Sequence, residues 1–179
     1  GFEREKSRRV LKERGEKEVL SALEKWVAAQ TEPQAQLEGL WIYQGLDVVN
    51  QALLDKLLEA EDGRIRTAAV QVLNEWHKRF DGTSSRLAKR VTDDHPRVRL
   101  AALRSITNRR TKSEEMVNAA LRVFEKPTDN YLEYGAWLSM NEIEEPWLNM
   151  VRDGKWIADG NEKQLEFALK TVDSAKASE

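Results

Sequence analysis

The sequence contains no cysteine among its 179 residues. Thiolate metal sites, thiol nucleophiles and haem attachment through Cys-x-x-Cys-His are therefore excluded from this segment. The absence does not fix a compartment, since cytosolic and periplasmic proteins can both lack cysteine. There are only two histidines, His77 and His95, and they share no motif. Surface or capping roles account for them better than a metal site does. No His-Glu-x-x-His, glycine-rich phosphate loop or Gly-x-Ser-x-Gly elbow occurs. No cofactor and no catalytic group is expected. No run of about eighteen apolar residues exists, so no segment reads as a membrane span. Residues 1–12 are charged rather than apolar and do not form a secretory signal; an exported protein would carry its signal upstream. Four prolines and nine glycines are too few for a turn-rich sandwich or a disordered linker.

What is present is helical. Apolar residues make up 40% and charged residues 34% of the chain, and the apolar positions recur with a period near 3.6, never convincingly with a period of two. Residues 3–14 are highly charged, and Gly15 marks a break. Val19, Leu20, Leu23, Trp26 and Val27 share one helical face. Thr31-Glu32-Pro33 reads as an N-cap and first turn ahead of Leu37, Leu40 and Trp41. Val49, Leu53, Leu54, Leu57 and Leu58 form the next stripe, and Ile65, Ala68, Ala69, Val72, Leu73 and Trp76 the one after it. Phe80-Asp81-Gly82 closes that pair. Another pair is expected over 84–91 and 96–107, with Asp94 as a cap. A helix from Thr111 or Ser113 carries Met116, Ala120, Leu121 and Phe124 and ends at Lys126-Pro127. Asp129 or Asn130 opens the next. A shorter piece carries Trp147, Leu148 and Val151. Asp159-Gly160-Asn161 precedes a last helix with Leu165, Ala168, Leu169 and Val172, and residues 174–179 read as frayed.

The strongest signal is a repeat. Arg64-Ile65-Arg66-Thr67-Ala68-Ala69-Val70 matches Arg97-Val98-Arg99-Leu100-Ala101-Ala102-Leu103 at an offset of 33 residues. Leu54 falls on Leu87 and Leu58 on Val91 at the same offset. A further step of 33 reaches Tyr131, Tyr134 and Gly135, a weaker echo. Repeats of this length imply stacked helical hairpins, each burying its apolar face on its neighbours. The Ala-Ala pairs let backbones approach closely. Glu61 and Asp94, acids at the turns, suit the positive end of the helix that follows. Arg66 and Arg99 can reach carboxylates or carbonyls of the adjacent layer, so Glu61, Arg66, Asp94 and Arg99 are expected to form an inter-repeat ladder.

This pattern resembles HEAT repeats, clearly over residues 47–110 and more loosely over 16–140. The resemblance implies an all-α fold, a short curved HEAT-like α-solenoid of about ten helices. Its parts are a charged N-terminal helix at 1–15, helical repeats at 16–145 and capping helices at 146–179. Further phrases carry a narrower likeness. They are Glu38-Gly39-Leu40-Trp41-Ile42-Tyr43-Gln44-Gly45-Leu46, Asp93-Asp94-His95-Pro96-Arg97-Val98-Arg99 and Glu125-Lys126-Pro127-Thr128-Asp129. Tyr131-Leu132-Glu133-Tyr134-Gly135-Ala136-Trp137 and Gln164-Leu165-Glu166-Phe167-Ala168-Leu169-Lys170 continue it. Together these are similar to the helical region of large bacterial secreted proteins of the membrane-bound or glucose/sorbosone dehydrogenase-like type. There a β-propeller precedes the helical region and a c-type cytochrome domain commonly follows. The likeness implies a periplasmic or otherwise exported parent, with oxidation chemistry and haem in other domains. The residues themselves leave a cytoplasmic location open.

Charge is unevenly spread. Residues 86–112 hold nine Lys or Arg against Asp93 and Asp94, a local balance of +7; residues 113–179 hold seven basic and fourteen acidic residues. Arg86, Lys89, Arg90, Arg104, Arg109, Arg110 and Lys112 are expected to be exposed and to form a candidate interaction surface. Three readings compete for it. It docks another domain of the parent chain or a protein partner; it contacts nucleic acid, as in helical-repeat DNA glycosylases; or it faces water and the acidic neighbouring repeat. Nucleic acid is the least favoured of the three. The acidic group Glu142, Glu144 and Glu145 reads as a solvated face. Trp26, Trp41 and Trp76 are expected in the core, while Trp137, Trp147 and Trp156 either cap the stack or line a groove.

Overall fold

The computed structural model describes residues 2–79, 81–108, 114–155 and 162–171. Expectations for Phe80, Arg109, Arg110, Thr111, Lys112, Ser113, Trp156, the Asp159-Gly160-Asn161 turn, Val172 and residues 174–179 lie outside these, as do the side chains of Met116, Ala168 and Leu169. Among the described residues there are eleven α-helices, one 3-10 turn and no strand. They form two compact units, Gly1–Asp81 and Gly82–Glu179.

The first unit holds α1 (Phe2–Arg14), α2 (Glu16–Ala28), α3 (Pro33–Gly45), α4 (Gln51–Leu58) and α5 (Gly63–Glu75). Gly15, between α1 and α2, has φ +81°, a conformation that a side chain would strain, and the chain turns there. Glu32, not Thr31, is the N-cap of α3, and Pro33 takes the first helical position, where its missing N–H costs no bond. Asn50 Oδ1 accepts from the Leu53 N–H at 3.0 Å, so α4 begins at Gln51 and Val49 lies ahead of it. The Asp62 carboxylate accepts from the Arg64 N–H at 2.8 Å and opens α5. The two helices pair as a hairpin, α3 packs against both, and α1 lies on α2 and α3. Leu40, Leu54, Leu57, Val70 and Leu73 are fully buried; each contributes roughly 1.5–3 kcal/mol relative to exposure.

The second unit holds α6 (Thr83–Arg90), α7 (Pro96–Thr107), α8 (Glu114–Leu121), the 3-10 turn Arg122–Glu125, α9 (Asn130–Glu142), α10 (Glu144–Arg152) and α11 (Glu162–Thr171). α7 pairs with α6 and contacts α8 and α9; α8 goes on to touch α10, and α9 goes on to touch α11. Helices therefore step along rows in this unit. The rings of Phe124 and Phe167, 4.3 Å between centroids, fasten α11 to the 3-10 turn. Trp147 is buried and belongs to the core of this unit.

The helix starts at Gly63, Pro96 and Asn130 are 33 and then 34 residues apart. The third copy thus carries one extra residue, and the expected 33-residue step to Tyr131 is corrected. At a step of 34, Ile65, Val98 and Leu132 fall together, as do Ala69, Ala102 and Ala136, and all six are buried. A hydrogen bond marks the same register. Ser105 Oγ donates to the Ala101 carbonyl at 2.7 Å, and Ser139 Oγ to the Gly135 carbonyl at 2.8 Å. In the third copy a glycine stands beside the buried alanine, and Leu100 of α7 occupies the space that a Cβ on Gly135 would need.

Candidate interaction surfaces

The four predicted ladder residues are joined in pairs, mainly inside hairpins. Arg66 Nη1 donates to the carbonyls of Ala60 at 2.7 Å and Glu61 at 2.8 Å. Arg99 Nη1 repeats this 33 residues on, donating to Asp93 at 2.9 Å and Asp94 at 3.3 Å. Each arginine stitches the loop before its own helix through carbonyl oxygens. Arg99 adds one true inter-hairpin bond, from Nη2 to the Pro127 carbonyl at 2.5 Å. It is 3% exposed. Burial lowers its pKa, while Asp129, Asp93 and Asp94 act to raise it. A second tie runs between hairpins from Lys126 to the Asp94 carboxylate. That carboxylate does not cap α7. His95 is the N-cap residue and makes no side-chain cap bond, while Asp93 Oδ1 accepts from the His95 N–H at 2.9 Å.

The basic ridge is narrower than its sequence. Arg90 is a correction: it is 6% exposed and pairs with buried Asp93 at 3.3 Å. The α6 stripe carries it inward beside Leu87. Arg104 is half-buried and donates to Glu142 Oε1 of α9 at 2.9 Å, which also takes Glu142 out of the solvated acidic face. Lys89 is exposed and Arg86 half-buried; Arg109, Arg110 and Lys112 lie outside the described residues. His77 Nδ1 sits 2.7 Å from the Asn74 carbonyl, and no metal-capable cluster occurs among the described residues.

Two features escaped the sequence reading. Trp26 is 42% exposed rather than core. It lines an open groove of about 440 Å³ with Leu11, Val19, Leu23 and Ile42, flanked by Arg14 and Glu18. Trp41 is partly covered by the Arg8 guanidinium, 4.8 Å from the ring centroid; Trp76 is buried as expected. The second feature is the outer face of α9, where Tyr131, Tyr134, Trp137 and Leu138 are exposed. Correct register was the missing signal: aligned at 33, Tyr131 occupies a core position, and at 34 it stands on the surface.

No helix among the described residues is long and apolar enough to cross a membrane. No curated protein and no solved structure matches the chain. The family described as HEAT repeats matches residues 50–141, just over half of the sequence. That span runs from the Asn50 cap of α4 almost to the end of α9, taking in the 33-residue match and the arginine stitches, and the chain belongs to the HEAT-repeat family.

Proposed function

We propose that this chain is a non-catalytic scaffold that docks protein partners on its outward faces, within a larger exported protein carrying dehydrogenase and cytochrome domains. The observation that carries the scaffold reading is the closure of the α7–α9 seam. Val98, Ala102 and Leu103 of α7 and Leu132, Ala136 and Met140 of α9 are all buried, and the two helices pack against each other. Interiors packed this closely leave recognition to the surface. The larger context rests on the likeness of the phrases around Leu40, Pro96, Pro127 and Tyr134 to the helical region of dehydrogenase-like proteins. Lys89 and the stretch with Arg109, Arg110 and Lys112 supply the cationic contact, and the partner surface is acidic. Calorimetric titration of this chain against the purified neighbouring domains of its parent tests the reading. Changing Arg109, Arg110 and Lys112 together to Glu leaves helicity and melting unchanged and weakens docking. Docking unaffected by the triple reversal overturns the ridge, and a parent lacking dehydrogenase and cytochrome domains overturns the context.

A further inference from the structure

The outer face of α9 presents an aromatic row that the fold does not require. At the 33- and 34-residue steps, Tyr131, Tyr134 and Leu138 are the counterparts of Arg97, Leu100 and Arg104, and before those of Arg64, Thr67 and Gln71. The earlier copies fill these positions with mostly polar residues and still fold as hairpins. In α9 they are apolar and open to solvent: Tyr131 is 85% and Tyr134 63% exposed, and Trp137 beside them is 41% exposed. The rings of Tyr134 and Trp137 already lie near parallel, 6.1 Å between centroids and 22° between planes. Exposed apolar groups set in a row, without a packing task, mark a contact surface.

Charge identifies the occupant. α9 contains no Lys or Arg, and it carries Glu133 on the exposed face. Among the described residues Glu133 is met by a hydroxyl, Thr128 Oγ1 at 2.6 Å, rather than by a cation. In this unit Lys126 pairs with Asp94, Arg122 with Glu125 and Arg104 with Glu142. Arg97 stands at the start of α7, the neighbouring helix. Aromatic faces attract guanidinium and ammonium groups through the ring quadrupole, and a carboxylate alongside adds to that attraction. The geometry points to a docking site for an arginine-bearing segment of a partner protein, its guanidinium groups lying over Tyr134 and Trp137 and pairing with Glu133. This deepens the scaffold reading and rests on it, but uses a face distinct from the basic ridge.

The test titrates a fluorescein-labelled peptide of alternating arginine and glycine into the whole chain, with lysine and glutamate versions alongside. The arginine peptide binds best, because guanidinium stacks on rings as well as attracting them. Replacing Tyr134 and Trp137 together by Ala weakens it roughly tenfold, equivalent to two exposed ring–cation contacts, with the circular dichroism unchanged. Should that pair disturb folding, Tyr131→Ser gives a smaller loss from a residue with no packing role. Glu133→Gln weakens binding severalfold, while Arg97→Gln leaves it unchanged or strengthens it. Binding that ignores the aromatic changes is unspecific charge attraction and overturns the site. Preference for the glutamate peptide, or loss through Arg97→Gln, makes the partner anionic and overturns it too. If no peptide binds while the parent's domains still dock, this inference falls and the scaffold reading stands.

Discussion

Arg99 Nη2 donates to the carbonyl of Pro127 at 2.5 Å, while its Nη1 holds the carbonyls of Asp93 and Asp94 in the loop before its own helix. One buried guanidinium thereby fixes two successive hairpins. Replacement by Met keeps much of the volume and removes all three donations. Loss of these donations, one buried and two part-buried, costs about 2–3 kcal/mol in total, seen as a lower urea midpoint. Arg66→Met, which removes the donations to the loop of its own hairpin from a half-buried side chain, is expected to cost about 1 kcal/mol. Equal losses at both positions would deny the tie to Pro127 any effect.

Arg90 and Lys89 are adjacent in sequence and opposite in consequence. Arg90 faces buried Asp93, whereas Lys89 stands in solvent. Arg90→Met leaves a carboxylate buried without its cation and is expected to cost about 3–5 kcal/mol. Lys89→Met should stay within about 0.5 kcal/mol of the parent. Thermal melts of the two variants settle which basic residues are structural.

The acids at the turns also separate. Asp129 accepts from the Leu132 N–H at 2.7 Å and opens α9, whereas Asp94 reaches Lys126 across solvent. Asp129→Ala is expected to cost about 1 kcal/mol, as helix N-caps do. Asp94→Ala removes one exposed pair and should cost about 0–1 kcal/mol, less in high salt. A larger loss at Asp94 would restore it as the cap.

The fold was legible because a hairpin repeat is written in two places at once. Ile65 and Val98 give the core positions, Ala69 and Ala102 the close approach, and Pro96 the helix start; all of them lie where periodicity put them. The third copy was read one residue out. A single insertion between Pro96 and Asn130 moves Tyr131 from a core position to the surface, and only the length of the real loop reveals it. Exposure of charges was least legible: Arg90 lies within a basic run, yet it is buried together with Asp93, its ion-pair partner three residues on. Trp26 shares a stripe with Val19 and Leu23, yet a stripe records only that residues face one way, not that something covers them.

Gly39 and Gly135 both sit on helices pressed against a side chain, yet they respond differently to a methyl group. A Cβ at Gly39 overlaps Cγ2 of Val27 on α2; a Cβ at Gly135 overlaps Cδ1 of Leu100 on α7. Valine in a helix is confined to essentially one rotamer, so Cγ2 yields only if the backbone of α2 moves. Leu100 is half-exposed and can swing its methyl aside for about 0.5–1.5 kcal/mol. Alanine also favours a helix interior over glycine by roughly 0.5–1 kcal/mol. Gly135→Ala is therefore expected to be near neutral, while Gly39→Ala loses about 1–2 kcal/mol net, over-packing exceeding the propensity gain. Combining Gly39→Ala with Val27→Ala removes the overlapping methyl and should recover part of the loss. Chemical denaturation of the three variants beside the parent reads this directly. If Gly39→Ala is as stable as the parent, α2 and α3 are not in close contact at that point.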